Sequence, residues 1–121
     1  MTINSEYLYH YRAVIRDVYD GDTCRADLDL GLKIWVMDET LRLLRINAPE
    51  VRGVERPAGL LARDFLREQI QGKEVVVQTS KDSKGKYGRY LAEIWLKGEG
   101  DQWININDLM VQQGHAVYHE Y

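Results

Sequence analysis

The run Tyr19-Asp20-Gly21-Asp22-Thr23 sets two carboxylates on either side of one glycine, at the end of an alternating, strand-like stretch. Glycine accepts a sharp turn that a residue with a side chain resists. Such a turn would aim Asp20 and Asp22 at one point. Hard oxygen donors grouped this way suit a hard cation such as calcium or magnesium. Asp-Gly is also an ordinary hairpin turn, so the run alone leaves both readings open. More charge follows downstream: Arg42 inside an apolar strand, Glu50 after a proline, Arg89 after a glycine. Together these residues suit phosphodiester hydrolysis. Guanidiniums bind phosphate oxygens with directed hydrogen bonds. A cation polarises the phosphoryl group and positions water, and a carboxylate takes the proton from that water. Each residue also has a plain alternative: Glu50 as a solvated loop acid, Arg42 as half of a surface pair, Arg89 as a hairpin cap.

These residues need a scaffold, and the apolar pattern supplies one. Strand signals run over residues 9–18, with Ala13, Ile15 and Val18 as the apolar positions, and over 24–30, with Leu28 and Leu30 on one face. A further segment covers 33–37, Asp38-Glu39 turns, and a third long strand covers 40–46. Pro49 ends that region and holds Ala48 extended. A helix starts at Pro57, with Leu61, Phe65, Leu66 and Ile70 at helical spacing, and Gly72 stops it. Strands over 74–78 and 90–96 flank a glycine- and lysine-rich loop, and a second helix covers 105–113 with Ile106, Leu109 and Met110 inward. Three strands, a helix, two strands and a helix predict a β-rich α+β fold: a five-stranded OB-type Greek-key barrel with two helices.

The 121 residues fit one domain, with residues 1–8 as a loose leader and 9–121 as the folded unit. Hydrophobic residues make up 45% and charged residues 29%, as in soluble globular chains. A formal net charge of −3 argues against nucleic-acid binding through overall charge, though a local basic face remains open. Cys24 is the single cysteine, so no internal disulfide can form, and it reads as a small strand residue. The first residues show no signal peptide, and no apolar run is long enough to span a membrane. The expectation is a cytoplasmic monomer with no membrane association. His10, His115 and His119 show no metal-ligand spacing. Trp35, Trp95 and Trp103 read as core or hairpin packing.

Three motifs in order, the Asp-Gly-Asp-Thr turn at 20–23, Arg42-Leu43-Leu44 leading to Pro49-Glu50, and Tyr87-Gly88-Arg89, resemble the staphylococcal nuclease (thermonuclease-like) family. The resemblance covers roughly residues 9–121. It implies a calcium-dependent endonuclease of OB fold, acting on DNA and RNA with little sequence preference and leaving 3′-phosphate ends. Carried over by position, Asp22 is a direct calcium ligand, Asn47 the second side-chain ligand and the Ala48 carbonyl the backbone ligand. Asp20 lies near the ion. The resemblance makes Glu50 the general base or the residue that orients water, and gives the phosphate to Arg42 and Arg89. Lys86 and Tyr87 contact substrate, and Tyr118 and Tyr121 are placed to stack on a nucleotide or to pack at the rim.

This sequence departs from the family pattern at three points. Asn47 stands where the family usually has aspartate, which keeps an oxygen donor but removes a charge. The segment from Asp22 to Arg42 is longer, and no third helix is legible after Gly114. The rival reading is a non-catalytic OB module that binds single-stranded nucleic acid or a protein partner. A structural calcium-binding domain does not explain the two arginines.

Overall fold

The computed structural model describes residues 8–84 and 89–120. Strand β1 (His10–Asp20) pairs antiparallel with β2 (Thr23–Asp29), which pairs antiparallel with β3 (Trp35–Leu43). On its other side β1 pairs with β5 (Glu74–Lys84), and β5 with β6 (Tyr90–Lys97), both antiparallel. Parallel pairing of β3 with β6, through Leu41↔Tyr90, Arg42↔Leu91 and Leu43↔Ala92, closes the ring. The result is the expected closed five-stranded barrel with two helices, α1 (Arg56–Ile70) and α2 (Ile106–Gln112). Short strands β4 (Ile46–Asn47) and β8 (Val117–Tyr118) pair beside the barrel, and β7 (Trp103–Asn105) extends β6.

Alternation fills the interior: Ala13, Ile15 and Val18 from β1, Cys24, Ala26 and Leu28 from β2, Leu41 and Leu43 from β3, Val75 and Val77 from β5, and Ala92 and Ile94 from β6 are all buried. Ile15 and Val18 break the two-residue period and still both face inward. The register shifts between Ile15 and Asp17 and between Val18 and Asp20 account for this, because a bulge moves the following side chain to the other face. Burial pushes the Cys24 thiol up to about 12, as befits a strand residue with no nucleophilic role.

Four expectations need correction. Residues 33–37 and 40–46 are not two strands. One strand, β3, runs through Asp38, whose φ of 55° is absorbed as an irregularity against β2. That strand stops at Leu43, because Leu44 and Arg45 turn the chain, with Arg45 at φ 69°. Leu30 lies outside β2 and is exposed, as is most of the 30–37 hairpin, including Trp35; Trp103 is exposed as well. Finally, α1 buries Gly59, Ala62, Leu66 and Ile70, with Leu61 65% exposed and Phe65 half-buried against His115. Leu66 and Ile70 of the expected stripe are buried, whereas at the start of the helix the inward positions are the small residues Gly59 and Ala62 in place of Leu61.

Asn107 ties α2 to the barrel. Fully buried, it donates from Nδ2 to the carbonyls of Leu44 (2.8 Å) and Ala92 (3.0 Å) and accepts at Oδ1 from the Ile94 N–H (3.1 Å). Its amide thereby fixes the turn that leads into β4. Arg45 in the same turn makes a two-pronged ion pair with Glu93 (2.7 and 2.7 Å) and reaches Asp108 at 3.0 Å. These carboxylates hold its pKa above the usual arginine range. Asn107→Ala leaves buried backbone groups unsatisfied, at about 1–3 kcal/mol for such a group. Urea denaturation is expected to show a loss of about 3 kcal/mol; wild-type stability would mean the amide does not anchor the turn.

Candidate active site

The turn after β1 is built by hydrogen bonds among its own residues and the chain it faces. The Asp22 N–H donates to Asp20 Oδ1 (3.1 Å), and Thr23 Oγ1 lies 3.2 Å from Asp22 Oδ1. Asp22 Oδ2 accepts the Ala48 N–H at 2.8 Å and pairs with Arg42 Nη2 at 3.2 Å. Asp22 is 5% and Arg42 8% exposed. The Arg42 guanidinium also donates to the carbonyls of Leu43 (2.7 Å) and Ile46 (3.1 Å) and to Asn47 Oδ1 (3.3 Å). Asp20, Asp22, Arg42, Asn47 and Ala48 thus form one contiguous constellation, as the motifs require.

Glu50 completes it from the side. Asp20 and Glu50 line one cleft of ≈470 Å³ with Tyr19, Val51 and Arg52. Burial pushes the Asp20 carboxyl up to about 7, helped by its hydrogen bond to Asp22 and by the Asp22 charge. Glu50 is exposed and stands at the open side of the same cleft. Arg89 is half-buried and directly precedes β6, two positions before Leu91, the ladder partner of Arg42.

Tyr118 does not reach this cleft. It sits in β8 opposite Ile46, donates its hydroxyl to Asp108 Oδ1 (2.9 Å), and its ring lies 5.9 Å from the Arg45 guanidinium carbon. With Leu44, Arg45, His119 and Glu120 it lines a separate cleft of ≈510 Å³. Lys86, Tyr87 and Tyr121 lie outside the described residues.

The oxygen donors fit a hard cation in kind. A carboxylate has about four lone-pair positions, of which Thr23, the Ala48 N–H and Arg42 already take three at Asp22; the Asn47 amide oxygen and the Ala48 backbone are adjacent. They fit less well in number. Among the described residues, no group of three or more His, Cys, Asp or Glu side chains is arranged to hold a metal. Full coordination would have to draw on the amide, the backbone carbonyl, water and substrate oxygens.

Two glycines make this assembly possible. Gly21 is not among the residues with positive φ, so its backbone does not need glycine for the turn itself. A Cβ there would stand 2.7 Å from Ala48 Cβ and 2.8 Å from Ala62 Cβ. A Cβ at Gly59 would overlap the Glu50 carbonyl and stand 2.9 Å from the Val51 nitrogen. The sequence shows both glycines but not what they face, since their partners are 27 and 9 residues away.

Residues 40–121 match the family described as "Staphylococcal nuclease homologue". The chain belongs to this family. The match opens in β3 and takes in Arg42, Asn47, Ala48, Glu50 and Arg89; the Asp20–Asp22 turn lies ahead of it and is joined to it by the contacts above. The chain is 31% identical over 96 residues to the thermonuclease of Staphylococcus intermedius, covering 77% of this chain and 52% of that protein. It is 34% identical over 106 residues to the thermonuclease of Staphylococcus hyicus, covering 85% and 56%. A protein of Methanocaldococcus jannaschii described as uncharacterized is 26% identical over 128 residues, covering 88% and 58%. The chain spans about half the length of the curated relatives it matches. Among the described residues, no helix is long and apolar enough to cross a membrane.

Gly59→Ala tests whether the helix sets the position of Glu50. Overpacking of this kind costs about 1–3 kcal/mol. Denaturation is expected to show a loss of about 2 kcal/mol, and backbone amide NMR to show the largest shifts at Glu50 and Val51. Shifts confined to α1 would mean that the Glu50 loop is held by other contacts.

Proposed function

We propose that the chain is a calcium-dependent nuclease that hydrolyses phosphodiester bonds of DNA and RNA with little sequence preference. The observation that carries this reading is the junction at Asp22, where one carboxylate meets the Ala48 N–H and the Arg42 guanidinium beside the cleft of Asp20 and Glu50. The thermonuclease relatives support the same reaction class. Asp22, the Asn47 amide oxygen and the Ala48 carbonyl would hold the ion, with Asp20 close by. When bound, the ion supplies charge to the phosphoryl oxygens and orders water.

The protein's own groups do the rest. Glu50, exposed and unburdened by an ion pair among the described residues, takes the proton from the attacking water. Arg42 and Arg89 donate to the phosphate as charge shifts onto its oxygens. Arg42 Nη2 already serves Asp22 and Asn47, so it must give up one of them to reach a phosphate. That exchange keeps the guanidinium in position before substrate arrives. The rival, a non-catalytic OB module, draws support from Arg42 being engaged by protein acceptors and from the absence of a three-acid group among the described residues.

Arg42→Ala is a poor test, because it strands the buried Asp22 and lowers stability together with activity. Glu50→Gln is cleaner. It should cut the rate of DNA and RNA digestion by about 10²-fold or more and leave the melting temperature unchanged. Wild-type digestion should stop in chelator and return with calcium. Digestion that ignores chelator removes the calcium reading, and no digestion under any condition favours the binding module.

Asn47→Asp tests the metal site. Calcium affinity rises with ligand charge, so calorimetry should show tighter calcium binding than in the wild type. Thermal unfolding in chelator should fall slightly, because the added carboxylate competes with Asp22 for the Arg42 guanidinium, 3.3 Å away. Unchanged or weaker calcium binding would mean that Asn47 is not a ligand.

A further inference from the structure

We propose that Arg52 and Arg56, together with Tyr19, form a second phosphate site, which takes a phosphodiester flanking the scissile one, so that the cleft is built for a polynucleotide strand. This rests on the nuclease reading for the nature of the ligand.

The argument starts from how the arginines are partnered. Arg16 is paired with Asp27, Arg25 with Asp17 and Asp38, Arg42 with Asp22, Arg45 with Glu93 and Asp108, and Arg63 with Asp64. Arg52 and Arg56 make no such pair among the described residues, and neither do Arg12 and Arg67, the last of which donates to the Val18 carbonyl at 3.1 Å; what sets Arg52 and Arg56 apart is that they are exposed at the cleft of Asp20 and Glu50. Arg52 Nη2 donates to the Tyr19 hydroxyl at 2.8 Å, and Arg56 Nη1 to the Val51 carbonyl at 3.0 Å. Both partners are neutral, and among the described residues neither guanidinium has a carboxylate within ion-pair reach.

Their place is equally specific. Arg52 and Tyr19 form part of the wall of the cleft that holds Asp20 and Glu50, and Val51, which Arg56 grips, lies between them in that wall. Both arginines are exposed, so they are open to a ligand from solvent. Arg56 opens α1, whose N-cap is Glu55, so the positive end of the helix is partly offset by that carboxylate and the two guanidiniums supply the local cations.

A polyanion entering an acidic cleft on a chain of net charge −3 needs local cations. Replacing a neutral phenol or carbonyl by a phosphate oxygen gives Arg52 or Arg56 a charge-assisted hydrogen bond, with no ion pair to break. Arg42 has to exchange partners to do the same. The exposed Tyr19 ring beside Arg52 offers a face for a sugar or an unstacked base.

The test is fluorescence anisotropy with a short labelled single-stranded DNA, in chelator, over a salt series. Wild type should bind, and Arg52→Ala and Arg56→Ala should each weaken binding by about tenfold, since a hydrogen bond to a charged group is worth ~1.5 kcal/mol or more. The slope of log affinity against log salt should flatten by about 0.7 per arginine removed. Arg52→Lys should keep most of the slope, and Tyr19→Phe all of it. A separate assay with calcium uses a thymidine diester that carries a single phosphate; Arg52→Ala should lose far less on it than on the DNA. Unchanged affinity and slope in both alanine variants overturns the proposal, as does failure of the wild type to bind. Equal loss on the one-phosphate diester also overturns it, since Arg52 would then contact the scissile phosphate. Hydrolysis of the diester without arginine-dependent DNA binding leaves the nuclease reading standing and removes this site. The reverse result removes the nuclease reading and keeps the site.

Discussion

The absence of two side chains is the constraint on which this site depends. The β1–β2 turn, the 47–50 loop and helix α1 converge so closely that a methyl group at Gly21 would meet both Ala48 and Ala62. On the other side of the loop, Gly59 lets α1 lie directly against the Glu50 backbone. The loop is therefore held from two directions by surfaces with nothing projecting from them. Contacts between backbone and small side chains do not rotate away as long side chains do. That is why Asp22 can hold the Ala48 N–H at 2.8 Å while Glu50 stays exposed and still fixed in direction.

The same loop is pinned at its other end by charge. Arg45 bridges Glu93 of β6 and Asp108 of α2, and Asn107 bonds the carbonyls of Leu44 and Ala92. Arg42 and Asn47 flank that turn, so their spacing is set by groups that never face the cleft. Ion pairs this open to solvent add little to stability, since water screens much of the attraction. Here their effect is better read as geometric. They fix the reversal between β3 and β4 that lets Arg42 reach the carbonyls of Leu43 and Ile46 and the Asn47 side chain together.

How much of this was legible in the sequence varied with the range of the interaction. The barrel was, because alternation and glycine or proline breaks are local signals. Asp20, Asp22 and Arg42 stood out because they are unusual in type for where they stand, and the structure brings these three together. Gly21 was read as a backbone device and is a packing device, which no local pattern distinguishes. The helix stripe was assigned to Leu61, Phe65, Leu66 and Ile70 by hydrophobicity; Leu66 and Ile70 are buried, while near the helix start Gly59 and Ala62 face inward and Leu61 is left outside. Arg45 looked like an ordinary strand arginine; its partners are 48 and 63 residues away. Arg52 looked like a loop charge, and only its neutral partner and its place in the wall set it apart.

The balance of charge around the cleft also gives a physical account of the amide at position 47. Asp20 stands against Asp22 and shares a cleft with Glu50, and burial together with the Asp22 contact pushes its carboxyl up to about 7. Arg42 is the cation in direct contact with Asp22, and it divides its Nη2 between Asp22 and Asn47. A carboxylate at 47 would compete with Asp22 for that one group. The amide accepts the same hydrogen bond at 3.3 Å without competing as a charge, so the Asp22–Arg42 pair keeps its geometry. The amide thus leaves the guanidinium fixed on Asp22. Any phosphate that replaces Asn47 at Arg42 displaces a neutral acceptor, the lighter of the two exchanges open to it.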